Sequence, residues 1–268
     1  MKILVCLKQI LDPEIPPRDF KVNPGGSEAD LVGANLVTNI FCENALETAL
    51  QFREQIGEGE ITVVCMGPPS ADDTLRKALA MKADHAVRVD GCLEVAADSS
   101  SVSKVLAKLV HKLGGFDLVL LGREAGDWGM GHTGPYLAET LDLPLVSFVD
   151  EIKHEGDQLI LRRQTDDGWE RYRCPIPLVA TITNNDDNLP RIPKTRDIMK
   201  SSRKPITVHT LDDLGLPENV LAADQAKLQV ETIFIPEETV ECEFVTGDTL
   251  DEKVEQLAER MAAVVKGI

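Results

Sequence analysis

Long apolar runs are missing from this chain: no stretch approaches the roughly 18 to 20 residues that a membrane-spanning helix needs, so direct membrane insertion is not expected. The first residues also lack the charged, apolar and small-residue succession of an export signal, which points to a cytoplasmic protein. Cysteines stand at 6, 42, 65, 92, 174 and 242, with no C-x-x-C pair and no histidine at ligand spacing. A zinc or iron–sulfur site is therefore not expected, and six free thiols in a reducing compartment are. No G-K-[ST] triplet is present, which excludes a P-loop. No Ser/His/Asp, Cys/His or paired-carboxylate arrangement follows from local spacing, so hydrolytic catalysis has no support. Positive charge is short too: 28 Lys and Arg face 45 Asp and Glu, a net charge of −17. Such a field repels nucleic acid phosphates and anionic lipid. Aromatic residues make up only 4%, which leaves any aromatic in a ligand-like loop conspicuous.

What remains is 43% hydrophobic and 27% charged over 268 residues, the composition of a soluble globular chain of one or two domains. The run Ile3–Leu7 is short, apolar and rich in strand formers, as a strand buried on both faces should be. Pro13, Pro16, Pro17, Pro24, Gly25 and Gly26 then fill a connection expected to hold no regular element. Helical spacing of Ala45, Leu46, Ala49, Leu50 and Phe52 predicts a helix from about Asn44 to Gly57. A strand at Ile61–Met66 follows, then a helix capped by Ser70, a strand at Ala86–Val89, a helix from about Ser99 to Leu113, and a strand at Leu118–Leu121. Alternation of this kind predicts a parallel sheet covered on both faces. From about residue 144 the pattern shortens: Leu145–Ile152, Gln158–Gln164, Trp169–Arg173 and Leu178–Thr183 read as antiparallel strands joined to the sheet. The segment from Pro217 onward carries 12 Asp and Glu against 4 Lys and Arg. It ends in a helix whose Leu250, Val254, Leu257, Met261 and Val264 form a narrow apolar stripe suited to docking.

The strongest local signal is residues 122–135, five glycines between a buried strand and a helix beginning near Pro135. Glycine lets a ligand approach the backbone closely, and a helix N-terminus offers free N–H groups and partial positive charge. The loop reads as a phosphate or nucleotide cradle at the carboxyl end of a parallel sheet, with a purely structural turn as the alternative. Gly129 to Gly134 match G-x-G-x-x-G, yet they lie about seven residues beyond the strand, where a dinucleotide fingerprint would follow it directly. Trp128 reads either as a lid over a planar ligand or as an anchor for the loop. Arg191, Lys194, Arg196, Lys200, Arg203 and Lys204 set six cations against the single acid Asp197, either a solvated loop or a docking site for an acidic partner.

Several blocks taken in order carry a resemblance: residues 2–9 (KILVCLKQ), 39–50 (NIFCENALETAL), 66–69 (MGPP), 79–84 (LAMKAD), 117–135 and 197–205 (DIMKSSRKP), then Asp213, Leu214 and Gly215. Together they resemble the β subunit of the electron transfer flavoprotein family over nearly the whole chain. The resemblance implies a Rossmann-like α/β domain over residues 1–215, with an added antiparallel segment, and an arm over 216–268 that docks on an α subunit. It implies a redox FAD held mainly by that partner, and AMP or a second FAD in this chain. Electrons would pass from a dehydrogenase to a quinone reductase or a ferredoxin-type acceptor, the chain being a carrier rather than an enzyme. In bifurcating members the second FAD also oxidises NADH.

The nucleotide-binding positions implied are Cys6, Asn39, Ile40, Phe41, Cys42, Met66, Gly122, Arg123, Asp127, Trp128, Gly129, Met130, Gly131, His132, Thr133 and Gly134. Cys6 and Met66 would offer backbone groups to adenine, Asn39 and Asp127 hydrogen bonds to ribose or amide groups, and residues 129–134 amides to phosphate. Partner docking is implied for Arg191, Lys194, Thr195, Arg196, Ile198, Met199 and Lys200. Two positions depart from the family pattern. Where members have A-I-D-G-D-T-x-Q-V-G-P, this chain keeps Asp127, Gly134 and Pro135 but has Trp128 and Gly129. Where they present an anchoring leucine, it has Thr195. The rival readings are a nicotinamide-dependent dehydrogenase using Gly129–Gly134 and a homodimeric ATP-sensing domain.

Overall fold

The computed structural model describes residues 1–30, 33–90, 98–221, 226–236 and 242–266. Cys92 lies outside them. The chain forms two units, Met1–Ile233 and Phe234–Ile268.

In the first unit the expected parallel strands are β1 (Lys2–Leu7), β4 (Glu60–Met66), β5 (His85–Val89) and β6 (Leu118–Gly122). Each is an apolar run because helices cover both faces of the sheet. Helices α1 (Ile40–Ile56) and α2 (Ala71–Ala80) pack on one face, and α3 (Ser99–Lys112) and α4 (Thr133–Leu141) on the other. Ile3, Val5, Leu46, Leu50 and Phe52 belong to one core layer, and Leu4, Val64, Leu109 and Leu137 to the second.

Several boundaries differ from the sequence reading. Helix α1 starts four residues early, at Ile40, with Asn39 at its N-cap position but making no side-chain cap. Ser70 does not cap α2 either, because its hydroxyl is turned to Gln9 Oε1 at 3.0 Å. The proline-rich connection is bracketed by a short antiparallel pair, β2 (Gln9–Leu11) and β3 (Leu36–Thr38).

The antiparallel meander is present as β7 (Leu145–Glu155), β8 (Gln158–Thr165) and β9 (Gly168–Cys174). However, β10 (Leu178–Ile182) is not part of it: it inserts between β6 and β7, parallel to both. All five of its residues are buried, as a central strand requires. After α5 (Thr195–Ser201), a strand the sequence reading missed, β11 (Ile206–His209), closes the far edge beside β5. The sheet order is β11-β5-β4-β1-β6-β10-β7-β8-β9. Strand order therefore reverses between β1 and β6, and a crevice opens there at the strands' carboxyl ends.

In the second unit, Thr249 and Glu252 form a reciprocal capping box at the start of α6 (Leu250–Lys266). The Glu252 N–H donates to Thr249 Oγ1 at 3.3 Å, and Glu252 Oε2 accepts from the Thr249 N–H at 3.4 Å. Leu250, Val254, Leu257, Met261 and Val264 are all exposed. No helix among the described residues is long and apolar enough to cross a membrane.

Candidate functional site

The crevice at the β1–β6 reversal is lined by Cys6, Asn39, Cys42 and Met66 together with Gly122, Arg123, Trp128, Met130, Gly131, Thr133 and Gly134. These are residues that the sequence reading singled out, brought together by the ends of β1, β4 and β6, the first turn of α1 and the start of α4. Ile40, Phe41, Asp127, Gly129 and His132 lie beside the cleft rather than in its wall. The sequence reading missed Lys8, and it missed Ser99, Val102 and Leu106 from the first turns of α3, which complete an apolar side.

Two glycines of the loop are there for packing. A Cβ on Gly122 would lie 2.9 Å from the Cys42 nitrogen and from the Phe41 carbonyl carbon, and one on Gly134 would lie 2.3 Å from Thr181 Cγ2. Gly129 and Gly131 instead adopt φ of +63° and +65°, the left-handed region that glycine enters at little cost. Helix α4 starts at Thr133, two residues before the expected position, with no acidic residue in its first turn. Its positive end and first-turn N–H groups are met by no side-chain cap and no carboxylate of that turn.

Asn39 ties the loop to α1. It is fully buried, and its Nδ2 donates to the Glu124 carbonyl at 2.8 Å while its Oδ1 accepts from the Gly126 N–H at 3.0 Å. Both ends of its amide serve the protein, so Asn39 shapes the cleft rather than offering a free amide to ribose. Arg123 is held 4.4 Å from the Phe41 ring centroid and 5.6 Å from that of Phe148, and pairs with Glu124 at 3.0 Å. Lys8 reaches across the mouth to Asp127, with Nζ 2.8 and 2.7 Å from its two carboxylate oxygens.

Cys6 and Cys42 line this cleft and Cys65 lies in the core; all three are buried. Burial pushes all three thiols up, that of Cys65 to about 12. Since the thiolate is the nucleophile, iodoacetamide at pH 8 is expected to label exposed Cys242 first and half-buried Cys174 more slowly. Cys6, Cys42 and Cys65 should react only after unfolding. Peptide mapping that finds any of these three modified as fast as Cys242 in the native protein would contradict the described burial.

The basic cluster divides. Arg191, expected to face a partner, is committed to α1: its Nε lies 2.8 Å from Glu47 and its Nη1 2.6 Å from Glu54. These carboxylates, Glu47 foremost, raise the guanidinium above its ordinary value, and Arg191 in turn holds the Glu54 carboxyl below the usual range. A lowered carboxyl stabilises the fold above its unfolded value near 4.3 and loses that contribution as pH falls through the folded value. The stability difference between parent and Glu54→Gln should therefore be present at pH 6 and shrink below about pH 4, as urea titrations at both values would measure. Lys194, Thr195, Arg196, Ile198, Met199 and Lys200 are all exposed on or beside α5, and the three cations among them make no ion pair with the described residues.

A doubly wound α/β sheet with a cleft at its strand-order reversal defines a protein of the Rossmann-like class. Residues 32–214 match the family described as the electron transfer flavoprotein domain. The chain is 34% identical to the electron transfer flavoprotein subunit beta of Thermoanaerobacterium thermosaccharolyticum, over 97% of this chain and 98% of that one. It is 33% identical to the caffeyl-CoA reductase-Etf complex subunit CarD of Acetobacterium woodii, over 97% and 98%. To the electron transfer flavoprotein subunit beta of Homo sapiens it is 34% identical, over 81% and 84%. The chain belongs to the electron transfer flavoprotein family.

Proposed function

We propose that this chain is the β subunit of a heterodimeric electron transfer flavoprotein, and that its cleft holds an adenine nucleotide, AMP or a second FAD. The observation that carries this reading is that one cleft at the sheet's reversal is lined both by apolar side chains and by a glycine loop with a helix start. Met66, Val102 and Leu106 offer an apolar slot of the kind a purine fills. In the same lining, the glycine loop and the acid-free first turn of α4 offer N–H groups of the kind phosphate takes. Residues 129–134 would hold phosphate, the backbones of Cys6 and Met66 would meet adenine, and Trp128 would close over the ligand. Asn39 would keep the loop in register.

The redox FAD would be held mainly by an α subunit, and that flavin supplies the electron-accepting chemistry. This chain's part is to bind and position, on the path from a donor dehydrogenase to a quinone reductase or ferredoxin-type acceptor. The exposed apolar stripe of α6 would dock on the α subunit. The printed name of the A. woodii relative attaches that protein to a reductase–Etf complex, which favours a second reading: a bifurcating form whose cleft holds FAD and oxidises NADH. Anaerobic titration of the purified heterodimer tests both. Bleaching of one flavin by a donor dehydrogenase supplied with its substrate, with none by NADH, supports the carrier; bleaching of two flavins by NADH supports the bifurcating form. A colourless complex that NADH and dehydrogenases leave unchanged contradicts both.

Thr195 opens α5 and is exposed, where the family resemblance implies an anchoring leucine. The docking site would accordingly rely on Lys194, Arg196 and Lys200 more than on apolar burial. Thr195→Leu is expected to tighten binding to a dehydrogenase with an apolar receiving pocket by about 1 to 2 kcal/mol, roughly 5- to 30-fold. Surface plasmon resonance at two salt concentrations measures this; unchanged affinity and no salt dependence would remove the docking role.

A further inference from the structure

We infer that Lys8 and Asp127 form a charge latch on the cleft, in which Lys8 is the cation that receives the nucleotide's phosphate and Asp127 competes with phosphate for it. The inference deepens the nucleotide reading above and rests on it.

Among the described residues lining the cleft, the cations are Lys8 and Arg123. Arg123 is bracketed by two aromatic rings and paired with Glu124, so its position is fixed. Lys8 differs. Its backbone is anchored directly after β1, where its carbonyl accepts from the Asn39 N–H at 2.9 Å. Its ammonium, on a flexible four-carbon stem, spans 119 residues of sequence to reach the glycine loop. The two side chains are 28% and 24% exposed. Both are only partly covered, so water screens the pair and exchanging partners costs less than it would for a buried one.

Asp127 keeps a second partner when Lys8 moves, since its Oδ1 also accepts from the Trp128 N–H at 3.0 Å. A phosphate carries more charge and more acceptor oxygens than a carboxylate, and an ammonium presents three donors that can turn toward it. In such an exchange the loop would trade its tether to β1 for a shared grip on phosphate. Lys8 would then set how much tighter a phosphorylated nucleotide binds than its bare nucleoside.

Calorimetric titration of the full-length, nucleotide-free protein with adenosine, AMP and ADP tests this. Adenosine is the neutral reference. Lys8→Met should weaken AMP and ADP about tenfold, as loss of one charge-assisted hydrogen bond does, with adenosine unchanged, and Lys8→Arg should restore most of the loss. Asp127→Asn should tighten AMP severalfold, and that gain should vanish in the Lys8→Met background, because the two act on one interaction. Equal loss of adenosine and AMP in Lys8→Met would show a merely structural tether and overturn the latch. So would an Asp127→Asn effect independent of Lys8. If the parent binds neither adenosine nor AMP, the nucleotide reading of the cleft fails, and the latch with it.

Discussion

Replacing Gly122 with alanine is expected to destabilise the first unit by about 1 to 3 kcal/mol, the range for adding a methyl group to a filled site. The cause is contact rather than conformation. At the exit of β6 the added carbon would sit 2.9 Å from the Cys42 nitrogen, the Phe41 carbonyl carbon and Phe41 Cβ. Two of these three are backbone atoms in the first turn of α1, which cannot swing away as a side-chain tip could. Relief would require α1 to lift from the sheet, and α1 carries Leu46, Ala49, Leu50 and Phe52 into the core. Because the same turn bears Asn39 and Cys42, the shift would also widen the cleft, so nucleotide affinity should fall together with stability. Urea denaturation followed by circular dichroism measures the first effect; a midpoint equal to the parent's would mean that helix and sheet are not packed this closely.

Asn39→Leu is expected to weaken nucleotide binding by roughly tenfold or more and to lower stability by about 1 to 3 kcal/mol. The substitution keeps approximate side-chain volume but removes an acceptor for the Gly126 N–H and a donor for the Glu124 carbonyl, at a position with no solvent exposure. The loop between them would lose its register on α1. Asn39 touches the ligand's surroundings through the loop, so the effect should fall on adenosine as well as AMP. A Lys8 substitution should spare adenosine. Affinity unchanged in Asn39→Leu, with stability lowered, would mean that the loop holds its shape without this tether.

Much of the fold could be read from apolar runs, because β1, β4, β5 and β6 are covered on both faces and carry few polar side chains to break the pattern. The same reasoning applied to Leu178–Ile182 would have made it a central parallel strand. Its nearness to three genuine meander strands masked that signal. Strand β11 was missed because an edge strand whose residues are exposed or only half-buried has neither an apolar run nor a clean alternation. The early start of α1 was hidden because the apolar spacing begins only at Ala45, while Ile40 in the first turn is exposed.

The cleft itself was foreshadowed by the glycines at 122–134 and by the family pattern at 6, 39–42 and 66. What local sequence could not announce was long-range pairing. Nothing near Lys8 indicates that it will meet Asp127, nothing near Arg191 that Glu47 and Glu54 on α1 will claim it, and nothing in Ser99, Val102 and Leu106 marks them as more than helix positions.

The proposed β subunit contributes a nucleotide site of its own, beside the flavin of a partner. Acid release and chromatographic quantification of adenine nucleotides from the purified heterodimer tests it most directly. Two per heterodimer are expected: one FAD from the partner subunit, and one AMP or FAD from the cleft between β1 and β6. A single adenine nucleotide per heterodimer would contradict it.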